Sequence, residues 1–278
     1  EMKIFDTIVV GEDYSFNDVD LSDAVSKVGV HKFTDTLRCE SGCDSIIHLS
    51  LAVRPEKREG GYYVKKKGSG DGSDWENAMS PEDFSTYLPL VYDGDTFHIA
   101  EGVYHSKTED ERYGRSYVVN SSVTLVGGYP DTISIVGAPA NPMMFETRLS
   151  ADVRNNDMFS YYTHSLDVTS HSYTDENDSV LIVANGNSKL ALFGLTLSGV
   201  NNCAGAAVRL GSSSLKMDRC VVERNVSSAI SCEGGTVEVY DSRFKNNFAA
   251  SASVFRMQGG TLKVERSTMD ENLTIEAC

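Results

Sequence analysis

Short alternating segments repeat along the chain between Ser188 and Asn272. The first inward position of each repeat is apolar, and successive positions are 25, 22 and 25 residues apart: Leu190, Leu215, Val237 and Leu262. Further apolar positions recur in step: Leu192, Met217, Val239 and Val264; Leu197, Val222, Phe244 and Met269; and the pairs Val208 with Leu210, Ile230 with Cys232 and Phe255 with Met257. Alternation with a period of two is typical of strands, and repeats of this length are typical of stacked units. The pattern therefore predicts a solenoid with three short strands per repeat.

The repeat must be assigned to one kind of solenoid. The run from Met217 to Asn225 also fits a leucine-rich repeat, but Ser242 and Ser267 fill the position where that pattern needs an aliphatic residue. Residues 227–232 are rich in serine and alternate with period two, which favours a strand over the helical return of a leucine-rich repeat. We therefore predict a parallel β-helix.

Asparagine occupies one position in three successive repeats, as Asn225, Asn247 and Asn272. Asparagine tolerates the left-handed backbone conformation and can bond neighbouring backbone, so we expect these residues to form the bends. Stacked in successive repeats, their side chains would hydrogen-bond one another in a ladder.

Outward positions form three columns in which the sign of the charge alternates from repeat to repeat. These columns are Lys216–Glu238–Lys263, Arg219–Asp241–Arg266 and Glu223–Lys245–Asp270. Parallel strands lie about 4.8 Å apart, so each column brings opposite charges side by side. We interpret the columns as a mutually paired, solvated wall rather than as an active surface.

Composition excludes several function classes. The 278 residues carry a net charge of −15, which argues against nucleic acid and anionic membranes as partners. No run approaches the ~18 apolar residues of a membrane span. The six cysteines include no zinc-type pair, and Cys220 and Cys232 fall in inward columns, where a free cysteine behaves as a small hydrophobic residue. The start of the chain lacks the apolar core of a signal peptide, as expected of a trimmed mature chain.

The first part of the chain is predicted to be a small, separate β module. Residues 33–38 and 46–53 alternate on either side of a turn, and residues 55–61 form a charged, glycine-ended linker. This pattern predicts two domains, residues 1–57 and 58–278.

The N-terminal motifs resemble a short immunoglobulin-like module that recurs in secreted and surface proteins of anaerobic bacteria. They are Thr7-Ile8, Gly11-Glu12 with Tyr14 and Phe16, Thr34 with Thr36-Leu37, and Gly42-Cys43-Asp44-Ser45-Ile46 followed by Leu49, Leu51 and Val53. The family carries an earlier cysteine where Val9 stands here. The resemblance therefore implies that Cys39 could bridge to Cys43 instead.

The next motifs resemble the opening of secreted pectin-lyase-like β-helix proteins. They are Gly68-Ser69-Gly70-Asp71-Gly72-Ser73-Asp74-Trp75 and the run from Gly94 to Tyr104. In that family a strand, a glycine-rich turn and a helix precede the first coil, which implies an N-terminal cap over about residues 62–94. Ser80-Pro81-Glu82-Asp83 fits a helix N-cap, so we predict a helix near Pro81 to Leu88 that covers the end of the solenoid.

A third group of motifs resembles outer-membrane adhesin-like β-helices of bacteria. These motifs are Gly127-Gly128-Tyr129-Pro130 and Thr147-x-Leu149-Ser150-x-Asp152. Taken together, the resemblances imply an all-β protein: a right-handed parallel β-helix solenoid with a small N-terminal β-sandwich-like domain and a short capping helix. They also imply an extracellular or outer-membrane location in a bacterium.

The chain shows little catalytic chemistry. Asp218, Tyr240 and Glu265 come closest to an acid pair, but tyrosine separates the two carboxylates that glycoside hydrolysis would need. Asp71 and Asp74 do not meet the spacing of a calcium-binding EF-hand loop, so a turn is favoured there. We expect no metal, no cofactor, no catalytic residue and no enzymatic activity. The alternative is a divergent polysaccharide lyase or glycoside hydrolase.

Periodicity fades over about residues 138–179, an irregular excursion of the kind that often carries function. It holds aromatic and imidazole rings that could contact a glycan: Tyr161, Tyr162, His164, His171 and Tyr173. The expected function is therefore non-catalytic binding or adhesion at the cell surface, with a glycan or a host ligand as partner. Packing of these rings against the coils is the simpler interpretation.

The repeat pattern is still running at Asn272 and Leu273. We therefore expect that the natural chain continues past Cys278 or that this end associates with a partner, such as a second copy.

Overall fold

The computed structural model of the protein describes residues 1–37, 45–107, 109–110, 114–154 and 179–274. Within these residues the structure is all-β with one short helix. The chain divides into two compact units, Glu1–Arg58 and Glu59–Cys278. The division falls inside the charged segment 55–61.

The first unit contains a three-stranded sheet and a two-stranded ribbon. Its strands are β1 (Met2–Val9), β2 (Ser15–Phe16), β3 (Val19–Asp20), β4 (Gly29–Leu37) and β5 (Ser45–Arg54). Strand β5 lies in the centre of the sheet, parallel to β1 and antiparallel to β4, and β2 pairs with β3. Leu49, Leu51 and Val53 of β5 are fully buried against Ile8 and Val25. Cys39 and Cys43 lie outside the described residues, so their disulfide stays a prediction.

The second unit is built almost wholly from strands. It begins with β6 (Tyr62–Val64), α1 (Pro81–Tyr87), β7 (Thr96–Ala100), β8 (Gly102–Tyr104), β9 (Glu109–Asp110), β10 (Gly114–Arg115), β11 (Tyr117–Val119), β12 (Val123–Tyr129) and β13 (Thr147–Ser150). It continues with β14 (Val180–Ala184), β15 (Lys189–Phe193), β16 (Leu195–Ser198), β17 (Asn201–Leu210), β18 (Ser214–Asp218), β19 (Val221–Cys232), β20 (Thr236–Tyr240), β21 (Arg243–Ala249), β22 (Phe255–Met257), β23 (Thr261–Glu265), β24 (Thr268–Asp270) and β25 (Leu273–Thr274).

Long parallel sheets dominate this unit. One has seven strands in the order β23-β20-β18-β15-β12-β7-β6. The other has eleven strands, and its long strand β19 pairs at different points along its length with β16, β17, β21 and β22. The predicted register is confirmed, because Leu190, Leu215, Val237 and Leu262 lie side by side in consecutive strands. The inward positions from Leu190 to Val239 form one buried core. This arrangement is compatible with a parallel β-helix.

The predicted asparagine ladder is confirmed. Asn225 Nδ2 donates to Asn247 Oδ1 at 2.9 Å, and Asn247 Nδ2 donates to Asn272 Oδ1 at 2.9 Å. The three amides also donate to main-chain carbonyls of the preceding repeat, those of Leu197, Val222 and Phe244. Each side chain therefore ties two repeats together at the bend.

The ladder asparagines lie at the bends but do not themselves take the left-handed conformation that asparagine tolerates. The left-handed residue is the one before each of them: Arg224 (φ 55°), Asn246 (φ 54°) and Glu271 (φ 52°). The preceding residue makes the bend, while the ladder asparagine is held by its inward hydrogen bonds. Of the two adjacent residues at each bend, only the one whose side chain joins the ladder must be asparagine, and it is asparagine in all three repeats.

A second ladder occupies the position filled by serine. Cys220 N donates to Ser242 Oγ at 3.1 Å, and Ser242 N donates to Ser267 Oγ at 3.1 Å. Each serine hydroxyl in turn donates to a carbonyl two residues earlier, at 2.7 Å for Ser242 and 2.9 Å for Ser267. A polar side chain at this position therefore links neighbouring repeats, which an aliphatic residue could not do.

We expect Cys220 to resist alkylation in the folded protein. The thiol is buried and free, and burial raises its pKa to about 12. The thiolate is the reactive form, so at pH 8 the folded protein should leave Cys220 unlabelled by iodoacetamide, whereas protein in denaturant should label fully. Peptide mass mapping reads the result, and fast labelling of native Cys220 would contradict its placement in the core.

The charge columns are only partly paired as predicted. Arg266 makes a bidentate ion pair with Asp241, with both nitrogen–oxygen distances at 2.8 Å. In the third column, Glu223 instead pairs with Arg148 at 3.0 Å. Asp270 of the same column pairs with Arg243 at 3.3 Å. Long side chains reach diagonally or to other segments of the chain, so register alone does not choose the partner.

The predicted helix is confirmed, with its cap. Ser80 Oγ accepts from Asp83 N at 3.0 Å, proline occupies the first turn, and the helix spans Pro81–Tyr87 with Leu88 as C-cap. Its Phe84 side chain packs against the rings of Phe97 and Tyr117, with centroid distances of 5.0 and 5.3 Å. The helix is therefore fixed to the core by aromatic contacts.

The predicted excursion, residues 138–179, needs a correction. Thr147–Ser150 lies inside it, yet forms a regular strand that pairs in parallel with β8 on one side and β16 on the other. Leu149 is fully buried between them. A four-residue strand is too short to show periodicity by itself, and only its pairing partners define it.

Candidate functional site

The side chains predicted to contact a glycan lie outside the described residues. They are Tyr161, Tyr162, His164, His171 and Tyr173. The described residues carry a different surface with binding chemistry, on the outward side of the seven-stranded sheet.

Four successive strands, β15, β18, β20 and β23, present two straight rows of outward side chains. The first row is Ala191, Lys216, Glu238 and Lys263, and the second is Phe193, Asp218, Tyr240 and Glu265. We call them the outer rows. Their inward neighbours, such as Leu192 and Met217, are fully buried. Because side chains alternate across a strand, burying one set fixes the outer rows on the opposite face.

Cationic groups lie over both aromatic rings of the second row. The ammonium nitrogens of Lys216 and Lys263 lie 5.8 and 5.2 Å from the centroid of the Tyr240 ring. The Arg219 guanidinium lies 5.4 Å from the Phe193 centroid. These cation–π contacts hold hydrogen-bond donors beside each ring.

Asp218 lies between the two aromatic residues in the second row. Its Oδ1 is buried and accepts no hydrogen bond from any described residue, although Arg219 Nε lies 3.9 Å away. A buried carboxylate oxygen without a hydrogen-bond donor is costly. The Asp218 side chain as a whole is 37% exposed, so a ligand hydroxyl or amide would reach the carboxylate through Oδ2.

The carboxylates of the outer rows are poorly arranged for acid–base chemistry. Tyr240 separates Asp218 from Glu265 along the second row, as the sequence predicted. The hydrogen bond from Lys263 lowers the pKa of Glu265, so this carboxylate is ionised at neutral pH and is a poor general acid. Asp218 and Glu238 are diagonal neighbours on adjacent strands, as are Glu238 and Glu265, and hydrolysis at the outer rows would use one of these two pairs.

The outer rows also contain a residue that the sequence analysis did not single out. Phe193 lies three residues after Leu190, just as Asp218 lies three residues after Leu215. Applying the same alignment to the repeat that begins at Leu190 would therefore have identified it. Its aromatic character is visible in the sequence, but its half-buried place beside Arg219 depends on the sheet.

Asp71 and Asp74 serve local turns. Asp71 accepts from the Ser73 amide at 3.0 Å, and Asp74 accepts from the Glu76 and Asn77 amides at 2.8 and 2.7 Å. The hydrogen bonds to Asp74 lower the pKa of its carboxyl, with the Asn77 amide as the largest cause. Across the described part of the chain, no group of three or more His, Cys, Asp or Glu side chains is placed to hold a metal ion.

Comparison with known proteins gives no significant match to a family, to a curated protein or to a solved structure. The class is therefore defined by the chain's own geometry: an all-β protein with long parallel sheets held in register by polar ladders. Within the described residues no helix combines the length and the apolar character that a membrane span requires.

Proposed function

We propose that this chain is a non-catalytic binding or adhesion protein of the bacterial cell surface or exterior, and that it binds glycans. In this proposal residues 58–278 form a right-handed parallel β-helix of the pectin-lyase-like, adhesin-like kind, and residues 1–57 an immunoglobulin-like module. The in-register sheets and the polar ladders favour a rigid scaffold that presents a binding surface. The three sequence resemblances support the location.

The outer rows are the observation that carries the proposal. Phe193 and Tyr240 are two strands apart, which is about 10 Å at the usual spacing of parallel strands. One strand spacing is close to the length of one sugar in an extended polysaccharide. A glycan lying along the row would meet the two aromatic side chains two sugar units apart, with the Asp218 carboxylate between them.

The polar groups of the same rows suit a ligand rich in hydroxyls. Lys216, Lys263 and Arg219 provide donors beside the rings, and the partly exposed carboxylate of Asp218 provides an acceptor. Aromatic stacking combined with a few directed hydrogen bonds is a general design of binding sites for small polar molecules.

Binding to a panel of bacterial, plant and host polysaccharides tests the proposal. Phe193→Ala and Tyr240→Ala should each weaken binding of a positive polysaccharide by about 1 kcal/mol or more, roughly fivefold in Kd. Phe5→Ala is the matched control, because this exposed phenylalanine lies in the first unit. Affinity electrophoresis measures the difference. Unchanged binding in both variants, or equal loss in the control, would remove the outer rows from the proposal.

The alternative is a polysaccharide-degrading enzyme that uses Asp218 and Glu238. Reducing ends or unsaturated products released from a bound polysaccharide, and lost in Asp218→Asn, would favour it over simple binding. Binding without any product would favour the adhesion proposal.

A further inference from the structure

A small basic pocket lies in the second unit, away from the outer rows. It has a volume of about 260 Å³, and its lining comes from five chain segments and includes Lys66, Glu82, His105, Ser106, Lys107 and Arg115. Three of these side chains are cationic and one is anionic, in a chain whose net charge is −15. The volume is below that of pockets for drug-sized molecules, so it suits a ligand of about one sugar ring.

The basic side chains come from segments that are held in place. Ser106 Oγ donates to the Ser116 carbonyl at 2.7 Å, which ties the segment of Lys107 to that of Arg115. The Lys107 amide donates to Ser85 Oγ of the helix at 3.2 Å. The Lys66 ammonium donates to the Val103 carbonyl and lies 6.0 Å from the Tyr104 ring centroid. The pocket is therefore largely formed before any ligand arrives.

His105 contributes a neutral ring to the pocket. Burial lowers its pKa, and Lys66 and Lys107 lower it further. Its Nδ1 lies 3.1 Å from the Ser150 carbonyl, which can only accept, so Nδ1 carries the proton. The ring is thus not a fourth cation at neutral pH, and the positive charge of the pocket comes from Lys66, Lys107 and Arg115.

We propose that this pocket binds a single oxyanion group, a carboxylate, sulfate or phosphate, carried on a ligand of about the size of one sugar. Among the described lining residues, Lys66, Lys107 and Arg115 accompany one carboxylate, Glu82, so these side chains sum to a charge of +2. Asp152 is a further carboxylate close enough to influence His105, and Glu109 is the cross-strand neighbour of Arg115. The positive lining fits an anion of one or two charges. Arginine and lysine at one site are the usual partners of such groups. The pocket shares no residue with the outer rows, so this inference stands independently of glycan binding there.

Titration calorimetry in low-salt buffer tests the proposal with inorganic sulfate, inorganic phosphate, glucuronate, glucose 6-sulfate and glucose. Saturable binding of at least one anion, and none of glucose, is expected. Similar affinities for sulfate and glucose 6-sulfate would identify a site for the free ion. Tighter binding of glucose 6-sulfate or glucuronate would identify a site for an acidic sugar.

Charge-removing variants locate the site. Lys107→Gln and Arg115→Gln should each weaken the tightest anion roughly tenfold, since a hydrogen bond to a charged group is lost. Lys67→Gln removes the same charge from an exposed residue that does not line the pocket, and it should change affinity less than about twofold. Thermal melts check that each variant is folded. If Arg115→Gln fails to fold, the test rests on Lys107→Gln, because Lys107 is exposed and its substitution should leave the fold intact.

Two results would overturn the proposal. One is the absence of saturable binding of every anion by the unmodified protein. The other is an equal loss of affinity in Lys67→Gln and Lys107→Gln, which would show general attraction to a basic surface rather than a site.

Discussion

Asn247→Ala should destabilise the second unit by roughly 3 kcal/mol or more. Asn247 is fully buried, and its Nδ2 donates to the Val222 carbonyl and to Asn272 Oδ1, both at 2.9 Å. Its Oδ1 accepts from Asn225 Nδ2 at 2.9 Å. Alanine would remove these three hydrogen bonds from a fully buried position, and each such bond contributes about 0.5–1.5 kcal/mol.

The adjacent residue offers a matched control. Asn246 is also almost fully buried, but its Nδ2 is a buried nitrogen that finds no hydrogen-bond partner among the described residues. Its backbone is left-handed, which glycine adopts without strain. Asn246→Gly should therefore leave stability within about 1 kcal/mol of the unmodified protein. A similar loss in both variants would mean that the bend, not the ladder, carries the stability.

Urea unfolding followed by far-UV circular dichroism measures both variants. The chain has one tryptophan, Trp75, which is buried in the second unit and gives an independent fluorescence signal. If the repeats unfold together, both signals shift to lower urea in Asn247→Ala. A shift in circular dichroism alone would show that the repeats near Asn247 unfold separately, as long repeat arrays can.

Gly235→Ala should have a comparable effect, a loss of about 3 kcal/mol or more. A Cβ at this position would overlap the main-chain carbonyl oxygen of Ser213 in the preceding repeat. Backbone cannot move aside as a flexible side chain can, so the stacked strands would have to separate locally. The same urea measurement reads the loss.

Gly234→Ala is the control for this prediction. A Cβ on Gly234 would meet nothing within 4 Å, although the two glycines are adjacent. Alanine there should leave stability unchanged or raise it by a few tenths of a kcal/mol, because it restricts the unfolded chain. Equal tolerance at both positions would contradict the close approach of the two repeats.

The candidate surface was only partly predictable from the sequence. The repeat alignment correctly places Asp218, Tyr240 and Glu265 in one row. It does not show that Lys216 and Lys263 lie over the Tyr240 ring, because side-chain direction depends on packing across strands. The predicted glycan contacts on residues 161–173 remain predictions.

The basic pocket could not be predicted from the sequence. Lys66 is far from Lys107 and Arg115 along the chain, and the three share no repeat position. Only the packing of the segments around the helix brings them together, through bonds such as Ser106 to Ser116. Positive charge collected from separate segments leaves no local pattern.

By itself the sequence determined the strands of residues 188–272, their register and the ladder of Asn225, Asn247 and Asn272. It could do so because parallel stacking brings equivalent residues of successive repeats side by side, and repetition makes those residues visible. The tertiary structure alone decided the left-handed residue of each bend, the strand Thr147–Ser150 and the partners of the surface charges. Backbone dihedrals, short strands and long flexible side chains depend on neighbours that are distant in sequence, and periodicity carries no information about them.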